Sequence, residues 1–170
     1  MQDGPVSTPI DLAGHTGFLV RRAQQAHLAV WAREVGSRLT NVQFGVLNVL
    51  ADLGGASQRE LGDALDLDRS TVAGLVARLE SRGLVERGRA PGDRRRNVVR
   101  LTAAGSETLA ELVPAAARVD EVLTAGLSPA DRQTLRRLLT KVLAETGGPV
   151  PAGAGSQGAV PGVPPLDGDG

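Results

Sequence analysis

The spacing of apolar residues along the chain predicts a mainly α-helical fold with one small β-hairpin. Apolar residues recur at helical spacing over residues 10–38, 41–53, 58–65, 69–81 and 103–125, and again from residue 129 onward. In the fourth of these segments Val72, Leu75, Val76 and Leu79 follow an i, i+3, i+4, i+7 pattern, which is typical of a helix with one buried face. Residues 84–89 and 97–102 are short, extended and contain β-branched valines, so they are predicted to be paired strands.

Residues that begin and end helices stand at the boundaries of these segments. The predicted N-caps are Ser57, Asp68, Thr102 and Ser128, with Pro129 at a first helical position. Gly54 and Gly55 are expected to end the second helix, and Gly83 to adopt a left-handed conformation after the fourth. Pro114 is expected to bend or interrupt the helix over residues 103–125.

The first and last helices have features of a subunit interface. The first would have nearly 30 residues, about twice the usual length, and such a helix rarely packs within a small monomer alone. The last helix has an apolar face formed by Leu135, Leu138, Leu139, Val142 and Leu143. A homodimer paired through these helices is therefore expected.

The pattern divides the chain into five parts. Residues 1–9 are a flexible N-terminus, residues 10–56 form N-terminal dimerisation and ligand-pocket helices, and residues 57–102 form a winged helix-turn-helix domain. Residues 103–146 form C-terminal dimerisation helices. Residues 147–170 are rich in Gly, Pro and Ala and are expected to be a disordered tail.

Composition excludes several classes of protein. The chain has no Cys, no Tyr and two His, and it contains no phosphate-binding glycine loop, so neither an enzyme nor a cofactor is expected. Ser70 has no neighbouring His or Lys in the sequence that could act as a base. Residues 1–9 do not resemble a signal peptide, and no apolar run approaches the roughly 20 residues that span a bilayer. A cytoplasmic protein that does not contact membranes is expected.

The residues best suited to bind DNA lie in one segment, where a helix, a turn, a second helix and a hairpin follow one another. The second helix of a helix-turn-helix places its N-terminal side chains in the major groove of double-stranded DNA. Arg69 can bind guanine, Ser70 and Thr71 can bind bases or phosphates, and Arg78 lies on the same face. The hairpin loop carries Asp93, Arg94, Arg95 and Arg96, and arginine is favoured in a minor groove. Residues 68–100 hold nine arginines against four acidic residues, although the whole chain has a net charge of zero.

This region resembles the MarR family of bacterial transcription regulators. The matching motifs are Leu67-Asp68-Arg69-Ser70-Thr71-Val72, Leu79-Glu80-Ser81-Arg82-Gly83-Leu84-Val85-Glu86-Arg87, Pro91-Gly92-Asp93-Arg94-Arg95 and Leu101-Thr102-Ala103-Ala104-Gly105. The resemblance implies a winged helix, a dimer entwined through its first and last helices, and a pseudo-palindromic operator near regulated genes. It also implies that Arg95 enters the minor groove and that Asp93 braces the wing arginines. Gly74 departs from the polar residue common at its position.

One side of the first helix carries Arg21, Gln24, His27 and Trp31, which fall in a band about 120° wide. These side chains could hold an aromatic carboxylate, with arginine on the carboxylate, histidine on a ring hydroxyl and tryptophan on the ring face. The stretch also resembles MarR members that sense phenolic or aromatic acids, such as protocatechuate or hydroxycinnamates. A ligand there would relieve repression by favouring a half-site spacing unsuited to DNA. Alternatively, Trp31 packs in the dimer core, His27 is an interface histidine and the arginines are solvated.

Other functions remain open at this point. The winged helix could serve protein contacts without binding DNA, or the regulator could respond to a non-aromatic ligand. A metal sensor could use His15 and His27 with carboxylates, although two histidines 12 residues apart are weak support for a metal site. No metal is therefore expected.

Overall fold

The structure, a computed structural model, describes residues 10–90 and 93–146, with the backbone alone at positions 90 and 93–96. These ranges contain helices and one two-stranded antiparallel sheet, so the predicted mainly helical fold with a small hairpin is confirmed. In chain order the elements are α1 (Thr16–Glu34), α2 (Asn41–Leu53), α3 (Gln58–Leu65), α4 (Arg69–Ser81), β1 (Val85–Ala90), β2 (Asp93–Leu101), α5 (Ala103–Leu123) and α6 (Pro129–Glu145).

The hydrophobic core lies among α2, α3, α4 and the hairpin, and it continues to Trp31 of α1 and to Leu109, Leu112 and Val119 of α5. Each of these helices turns an apolar face inward, and the buried stripe of α4 is the predicted one. The side chains that are completely buried or nearly so include Leu47 and Leu50 of α2, Leu61 of α3, and Val76 and Leu79 of α4. Burying each such aliphatic side chain contributes about 1.5–3 kcal/mol, so this core is what holds α4 in place.

The helix termini agree with the capping residues in the sequence. Ser57 accepts a hydrogen bond from the Glu60 amide at 3.2 Å, while the Glu60 carboxylate accepts one from the Ser57 amide at 2.8 Å. Asp68, Thr102 and Ser128 cap α4, α5 and α6 by accepting hydrogen bonds from backbone amides of the first turn, with Pro129 at the start of α6. Gly54 ends α2 with φ +65°, and Gly83 follows α4 with φ +70°.

The first helix is shorter than its hydrophobic pattern predicts. The prediction of a helix over residues 10–38 is wrong, because α1 has 19 residues and begins only at Thr16. His15 caps it by accepting a hydrogen bond from the Phe18 amide at Nδ1, at 3.3 Å. At the other end Gly36 adopts φ +72°, a left-handed conformation that a helix cannot continue through. Apolar residues outside the helix extend the pattern without extending the helix.

Pro114 does not interrupt α5, which runs from Ala103 to Leu123. A proline removes one backbone donor, so the carbonyl of Ala110 loses its helical partner. Both Ala110 and Pro114 are exposed, and water can therefore bind the freed carbonyl. The expected interruption is wrong for this reason.

The hairpin is longer than predicted and joins the helical core through a third short segment. β1 pairs with β2 from Val85 opposite Leu101 to Ala90 opposite Asp93, with an irregularity after Arg89. The expectation that Arg94, Arg95 and Arg96 lie in a loop is wrong for their backbone, because β2 already begins at Asp93. Ala56, in the connection between α2 and α3, also pairs with Val99 through two backbone hydrogen bonds of 2.8 and 3.0 Å.

The start of α5 packs directly on the base of the hairpin. The Thr102 hydroxyl donates to the Gly83 carbonyl at 2.6 Å, and the Thr102 amide donates to the Leu84 carbonyl at 3.1 Å. A Cβ atom on Gly105 would lie 1.9 Å from the carbonyl oxygen of Leu84, so no side chain fits there. This contact explains why glycine follows the helix start in the Leu101–Gly105 motif.

In the part of the chain that the structure describes, no helix is both long and apolar enough to cross a bilayer.

Candidate DNA interface and effector site

The start of α4 is exposed and carries the residues predicted to read DNA. Val72, Leu75, Val76 and Leu79 are buried and hold the helix against the core. On the opposite side Arg69, Ser70 and Thr71 are exposed, and so is Arg78 about two turns later. The Arg78 guanidinium lies 3.7 Å from the position of a Cβ atom on Gly74. Arg78 therefore extends back along the helix toward the exposed N-terminus.

Asp68 organises this helix start. Its carboxylate accepts hydrogen bonds from the amides of Ser70 at 2.9 Å and Thr71 at 3.0 Å. It also accepts hydrogen bonds from both hydroxyls, from Ser70 Oγ at Oδ1 and from Thr71 Oγ1 at Oδ2, the latter at 2.5 Å. The Ser70 hydroxyl, followed by the Thr71 hydroxyl and amide, holds the pKa of Asp68 well below its usual range. The carboxylate is therefore ionised at neutral pH.

A cleft of about 770 Å³ separates this helix start from the hairpin. Of the predicted DNA-binding residues whose side chains the structure describes, Arg69 is the one in its lining; the other described lining residues are Gln58, Arg59, Asp63, Leu67, Arg87, Gly88, Arg89, Asn97, Val98 and Val99. The four arginines in this set make the cleft suitable for a phosphate backbone. Among the described contacts, Arg59 lies 3.8 Å from Asp63 and Arg87 lies 3.1 Å from Glu80.

The sequence interpretation missed Arg59, Arg87 and Arg89 as candidate DNA contacts. The alternation of side chains along a strand could have revealed two of them. Arg87 and Arg89 are two residues apart on β1 and stand opposite Val99 and Asn97 of β2, so they share one face of the hairpin. Their position in the cleft depends on how the hairpin docks against α3, which is a tertiary feature.

For the predicted wing contacts, the structure describes the backbone and not the side chains. Asp93, Arg94, Arg95 and Arg96 have a described backbone in β2, at the end of the hairpin distant from α5. Their side chains lie outside the described part, so their roles stay predictions.

The structure does not bring the four predicted effector residues into one site. Arg21 lines a shallow cavity of about 510 Å³ together with Phe18, Arg22, Gln25 and Ala26. Arg21 also donates a hydrogen bond to Gln25 Oε1 at 3.2 Å. Gln24 is exposed and lies outside this lining. Phe18, Arg22 and Gln25 were not among the predicted residues, although a shift of register would exchange Arg22 with Arg21.

His27 and Trp31 lie deeper and contact α2 and the segment before it. His27 is half-buried, with Nε2 3.4 Å from Asn41 Nδ2. Trp31 is 8% exposed, and its indole N–H donates to the Leu39 carbonyl at 2.8 Å. The Trp31 ring packs edge-on against Phe44, with centroids 5.4 Å apart. Within a single chain, Trp31 is thus a core residue whose polar atom already has a partner.

The two histidines are far apart. His15 caps α1, whereas His27 lies 12 residues further on, roughly 18 Å along a helix. No group of three or more His, Cys, Asp or Glu side chains that could hold a metal ion occurs within residues 10–90 and 93–146.

Apolar surface is left uncovered on the terminal helices. None of the residues of α6 is buried, and its apolar face is 40–49% exposed. That face consists of Leu135, Leu138, Leu139, Val142 and Leu143. On α1, Leu19, Val20 and Leu28 are 45–52% exposed. Contiguous apolar surface of this kind typically marks an interaction site.

Comparison with known proteins places this geometry in a family. The model of the MarR family matches residues 39–96, from the end of the α1–α2 connection into β2. The HTH-type transcriptional repressor NicR of Pseudomonas putida is 36% identical over 138 residues, which cover 81% of this chain and 87% of NicR.

Solved structures agree in fold as well as in sequence. The PcaV transcriptional regulator of Streptomyces coelicolor, crystallised with its natural ligand, superposes with a TM-score of 0.77 at 38% identity, covering 82% of this chain and 99% of PcaV. BpsR of Bordetella bronchiseptica, whose DNA binding is regulated by 6-hydroxynicotinic acid, superposes with a TM-score of 0.74 at 36% identity, covering 79% and 97% of the two chains. The predicted winged helix-turn-helix is confirmed, and the chain belongs to the MarR family of transcriptional regulators.

Proposed function

We propose that this chain is a homodimeric repressor that binds a pseudo-palindromic operator and is released from it by a small aromatic carboxylate. The observation that carries the DNA-binding part is the exposed start of α4 beside an arginine-lined cleft. Base edges are read by the helix, whereas phosphates are held by the arginines of the cleft and the hairpin. The repressor relative NicR and the ligand-regulated DNA binding of BpsR support the same function.

The roles of individual residues follow from their positions. Arg69 and Arg78 reach toward guanine edges, and Ser70 and Thr71 lie at the helix start that faces the groove. Arg87 and Arg89 contact the phosphate backbone from the hairpin side of the cleft. Beyond them, Arg94, Arg95 and Arg96 continue along β2, and Arg95 enters the minor groove while Asp93 orients it.

Dimerisation follows from the uncovered apolar faces of α1 and α6. One recognition helix reads only a few base pairs, so two half-sites are needed for specific binding. A second copy of this chain supplies an equivalent set of leucines for the exposed face of α6. The division into a DNA-binding segment, residues 57–102, and flanking dimerisation segments, residues 10–56 and 103–146, belongs to this proposal.

The effector binds on α1, at the boundary between the dimerisation helices and the winged domain. Arg21 lines a cavity there and its guanidinium suits a carboxylate. Half-buried His27 lies outside that lining, and the proposal requires a ring hydroxyl of the same ligand to reach it. Gln24 lies on the same helix and Trp31 supports His27 from the core, with ring centroids 6.1 Å apart. Because 6-hydroxynicotinic acid, an aromatic acid, regulates DNA binding of BpsR, a ligand of that class is the proposed effector.

The chain acts by binding and not by catalysis. Ser70 is the candidate nucleophile that the sequence analysis considered. Its hydroxyl donates to Asp68 as part of a helix cap. As a regulator of a bacterial chromosome, the protein acts in the cytoplasm.

Equilibrium binding to DNA tests the proposal. A duplex selected from a random library by the native chain is titrated at several salt concentrations with the native chain, Arg69→Ala and Arg95→Ala. We expect a steep salt dependence and at least tenfold weaker binding by both variants. Arg82→Ala is the matched control, because Arg82 follows α4 at the end opposite the reading residues and is exposed. If no sequence is enriched over random DNA, the chain serves protein contacts instead.

The effector is tested in the same assay with 6-hydroxynicotinate, protocatechuate and p-coumarate. We expect one of them to release the native chain from its duplex and Arg21→Ala to be insensitive while still binding DNA. Arg33→Ala is the control on the same helix, because Arg33 is exposed and pairs only with Glu34 among the described contacts. Comparison with Arg22→Ala decides which of the two adjacent arginines binds the carboxylate. If all three acids leave operator affinity unchanged, the effector belongs to another class.

A further inference from the structure

The hydrogen bonds at the start of α4 determine which groups of DNA this helix can read. We propose that Asp68 fixes Ser70 and Thr71 as hydrogen-bond acceptors, so that they bind the exocyclic amino groups of bases and donate to neither bases nor phosphates. The inference rests on the proposed DNA-binding function. It assigns Asp68 a positioning role in sequence specificity.

The protons of the two hydroxyls are already engaged. Ser70 Oγ donates to Asp68 Oδ1, and Thr71 Oγ1 donates to Asp68 Oδ2 at 2.5 Å. A hydroxyl has one proton and two acceptor lone pairs, so only lone pairs remain for a partner in the groove. An ionised carboxylate is a stronger acceptor than the carbonyl oxygen of a base. A base acceptor therefore does not displace Asp68.

The backbone donors at this helix start are engaged as well. The amides of Ser70 and Thr71 both donate to Asp68 Oδ1, at 2.9 and 3.0 Å. Helix starts commonly bind phosphates through such amides, but here a carboxylate occupies them and adds negative charge. Since phosphate oxygens only accept hydrogen bonds, Ser70 and Thr71 offer them no donor. Phosphates are instead left to the arginines of the neighbouring cleft.

Donors in the major groove are few and specific. Adenine presents its N6 amino group and cytosine its N4 amino group, whereas guanine presents the acceptors O6 and N7 and thymine the acceptor O4. The exposed oxygens of Ser70 and Thr71 therefore pair with an adenine or a cytosine. Arg69, which has only donors, reads the opposite pattern on a neighbouring guanine.

Base analogues that delete single groups test this assignment. The duplex is the one selected from a random library by the native chain. At each position adenine is replaced by purine and cytosine by 2-pyrimidinone, which removes only the amino group. Companion duplexes carry 2-aminopurine for guanine, which removes O6, 7-deaza purines, which remove N7, or single methylphosphonates, which neutralise a phosphate. Affinities are measured for the native chain, Ser70→Ala and Thr71→Val.

We expect one amino deletion per half-site to weaken native binding about tenfold and to have no further effect on Ser70→Ala or on Thr71→Val. Asp68→Asn keeps a good N-cap residue whose Oδ1 still accepts from the Ser70 hydroxyl, but its amide nitrogen donates to Thr71 Oγ1 and so frees the Thr71 hydroxyl proton. An amino deletion that couples to Thr71 should weaken binding by this variant less than about twofold, whereas one that couples to Ser70 should keep its effect of about tenfold. The melting temperature should stay within roughly 5 °C of the native value. Asp66→Asn, an equal loss of charge two residues earlier, should keep the native tenfold effect.

The outcomes separate the inference from the function on which it rests. If no duplex is selected, the DNA-binding function fails and the inference with it. If a duplex is selected but Ser70 and Thr71 couple to guanine O6, to N7 or to a methylphosphonate, only the inference is overturned. In Asp68→Asn, unchanged coupling of an amino group to Thr71, or lost coupling to Ser70, would likewise remove the positioning role of Asp68. Should Asp68→Asn fail to fold, coupling in Ser70→Ala and Thr71→Val still decides between amino donors and acceptors.

Discussion

Two regions of the chain bury their apolar surface to different extents. The first is the winged region, taken as α2, α3, α4 and the hairpin, and the second is the pair of terminal helices, α1 and α6. In the winged region, α2, α3, α4 and the hairpin cover one another, and Val46, Leu47, Leu61, Val72 and Leu79 are completely buried. On α6 no residue is buried, and on α1 only Trp31 is. The helices of the two regions are capped by similar residues. Although α1 packs against α5 and buries Trp31, the apolar face of α6 stays exposed in the described part of the chain.

The difference shows that the central part of the chain buries its apolar side chains within one copy, whereas α6 does not. A helix with an uncovered leucine face is stabilised chiefly by tertiary packing, which α6 lacks in a single chain. Ion pairs such as Arg136 with Asp120, 2.6 Å apart, connect α6 to α5 but contribute little at an exposed position. The apolar face of α6 is therefore left uncovered in the described part of the chain, whereas the winged region buries its own.

The largest expected effect is the loss of core packing in the winged region. Leu79→Ala should lower the free energy of unfolding by about 2–5 kcal/mol, because it leaves a cavity in a completely buried site. Urea denaturation followed by fluorescence of Trp31, the single tryptophan, measures it. Leu53→Ala, at a leucine that is 54% exposed, is the control and should lose less than about 1 kcal/mol. Similar losses for both variants would contradict the assigned core.

The junction between the two regions should be the next most sensitive. Gly105→Ala should destabilise the chain by about 1–3 kcal/mol, since the added Cβ would lie 1.9 Å from the Leu84 carbonyl oxygen and force α5 off the hairpin. Gly126→Ala has no atom within 4 Å of the added carbon and serves as the control. Thermal unfolding of both variants provides the comparison, and an unshifted melting temperature for Gly105→Ala would be inconsistent with this contact.

An intermediate effect is expected for the uncovered face of α6. Leu139→Glu should raise the dissociation constant of the dimer at least tenfold, about 1.4 kcal/mol, because a carboxylate would replace an apolar contact. Sedimentation velocity over a dilution series measures this. Leu53→Glu places the same charge on an exposed leucine of α2 and should leave dimerisation unchanged. Equal dimerisation of both variants would place the subunit interface elsewhere.

The smallest effect concerns the charge at the start of α4 and depends on pH. Hydrogen bonds from Ser70 and Thr71 lower the pKa of Asp68 in the folded chain, so its stabilising contribution is present above the unfolded value near 4 and is lost as the pH falls below it. Asp68→Asn should therefore destabilise the chain more at pH 7 than at pH 3. Melting temperatures across this range test the sign. The double variant Ser70→Ala/Thr71→Val removes the two hydroxyl donors that lower the pKa of Asp68. Its melting temperature should therefore change less between pH 7 and pH 3 than that of the native chain.

Local signals in the sequence predicted much of the winged region. Ser57, Asp68, Thr102 and Ser128 cap the helices they precede, and α2, α3 and α4 have the bounds that their apolar periodicity indicates. These features depend on residues within one or two turns of each other. The predicted length of α1 was wrong. The apolar residues before Thr16 and after Glu34 continue the helical pattern in the sequence, but they lie outside the helix.

The candidate sites were less predictable because they combine distant segments. Arg69 and Arg87 face one cleft only because the hairpin folds back beside α3 and is joined to the core by Ala56. The helical band of Arg21, Gln24, His27 and Trp31 was read correctly as one side of a helix, yet its two ends have different surroundings. Arg21 lines an exposed cavity, whereas Trp31 is held by Leu39 and Phe44.

By itself, the sequence determined the order of helices and strands, their caps, the concentration of arginines around α4 and the hairpin, and the resemblance to the MarR family. Each of these depends on short-range periodicity or on residue type. Only the tertiary structure decided that Trp31 is buried within its own chain, that Arg69 and Arg87 line one cleft, and that α6 is left uncovered. The physical reason is that burial and hydrogen-bond partners depend on which surfaces meet, and those surfaces come from segments far apart in the chain.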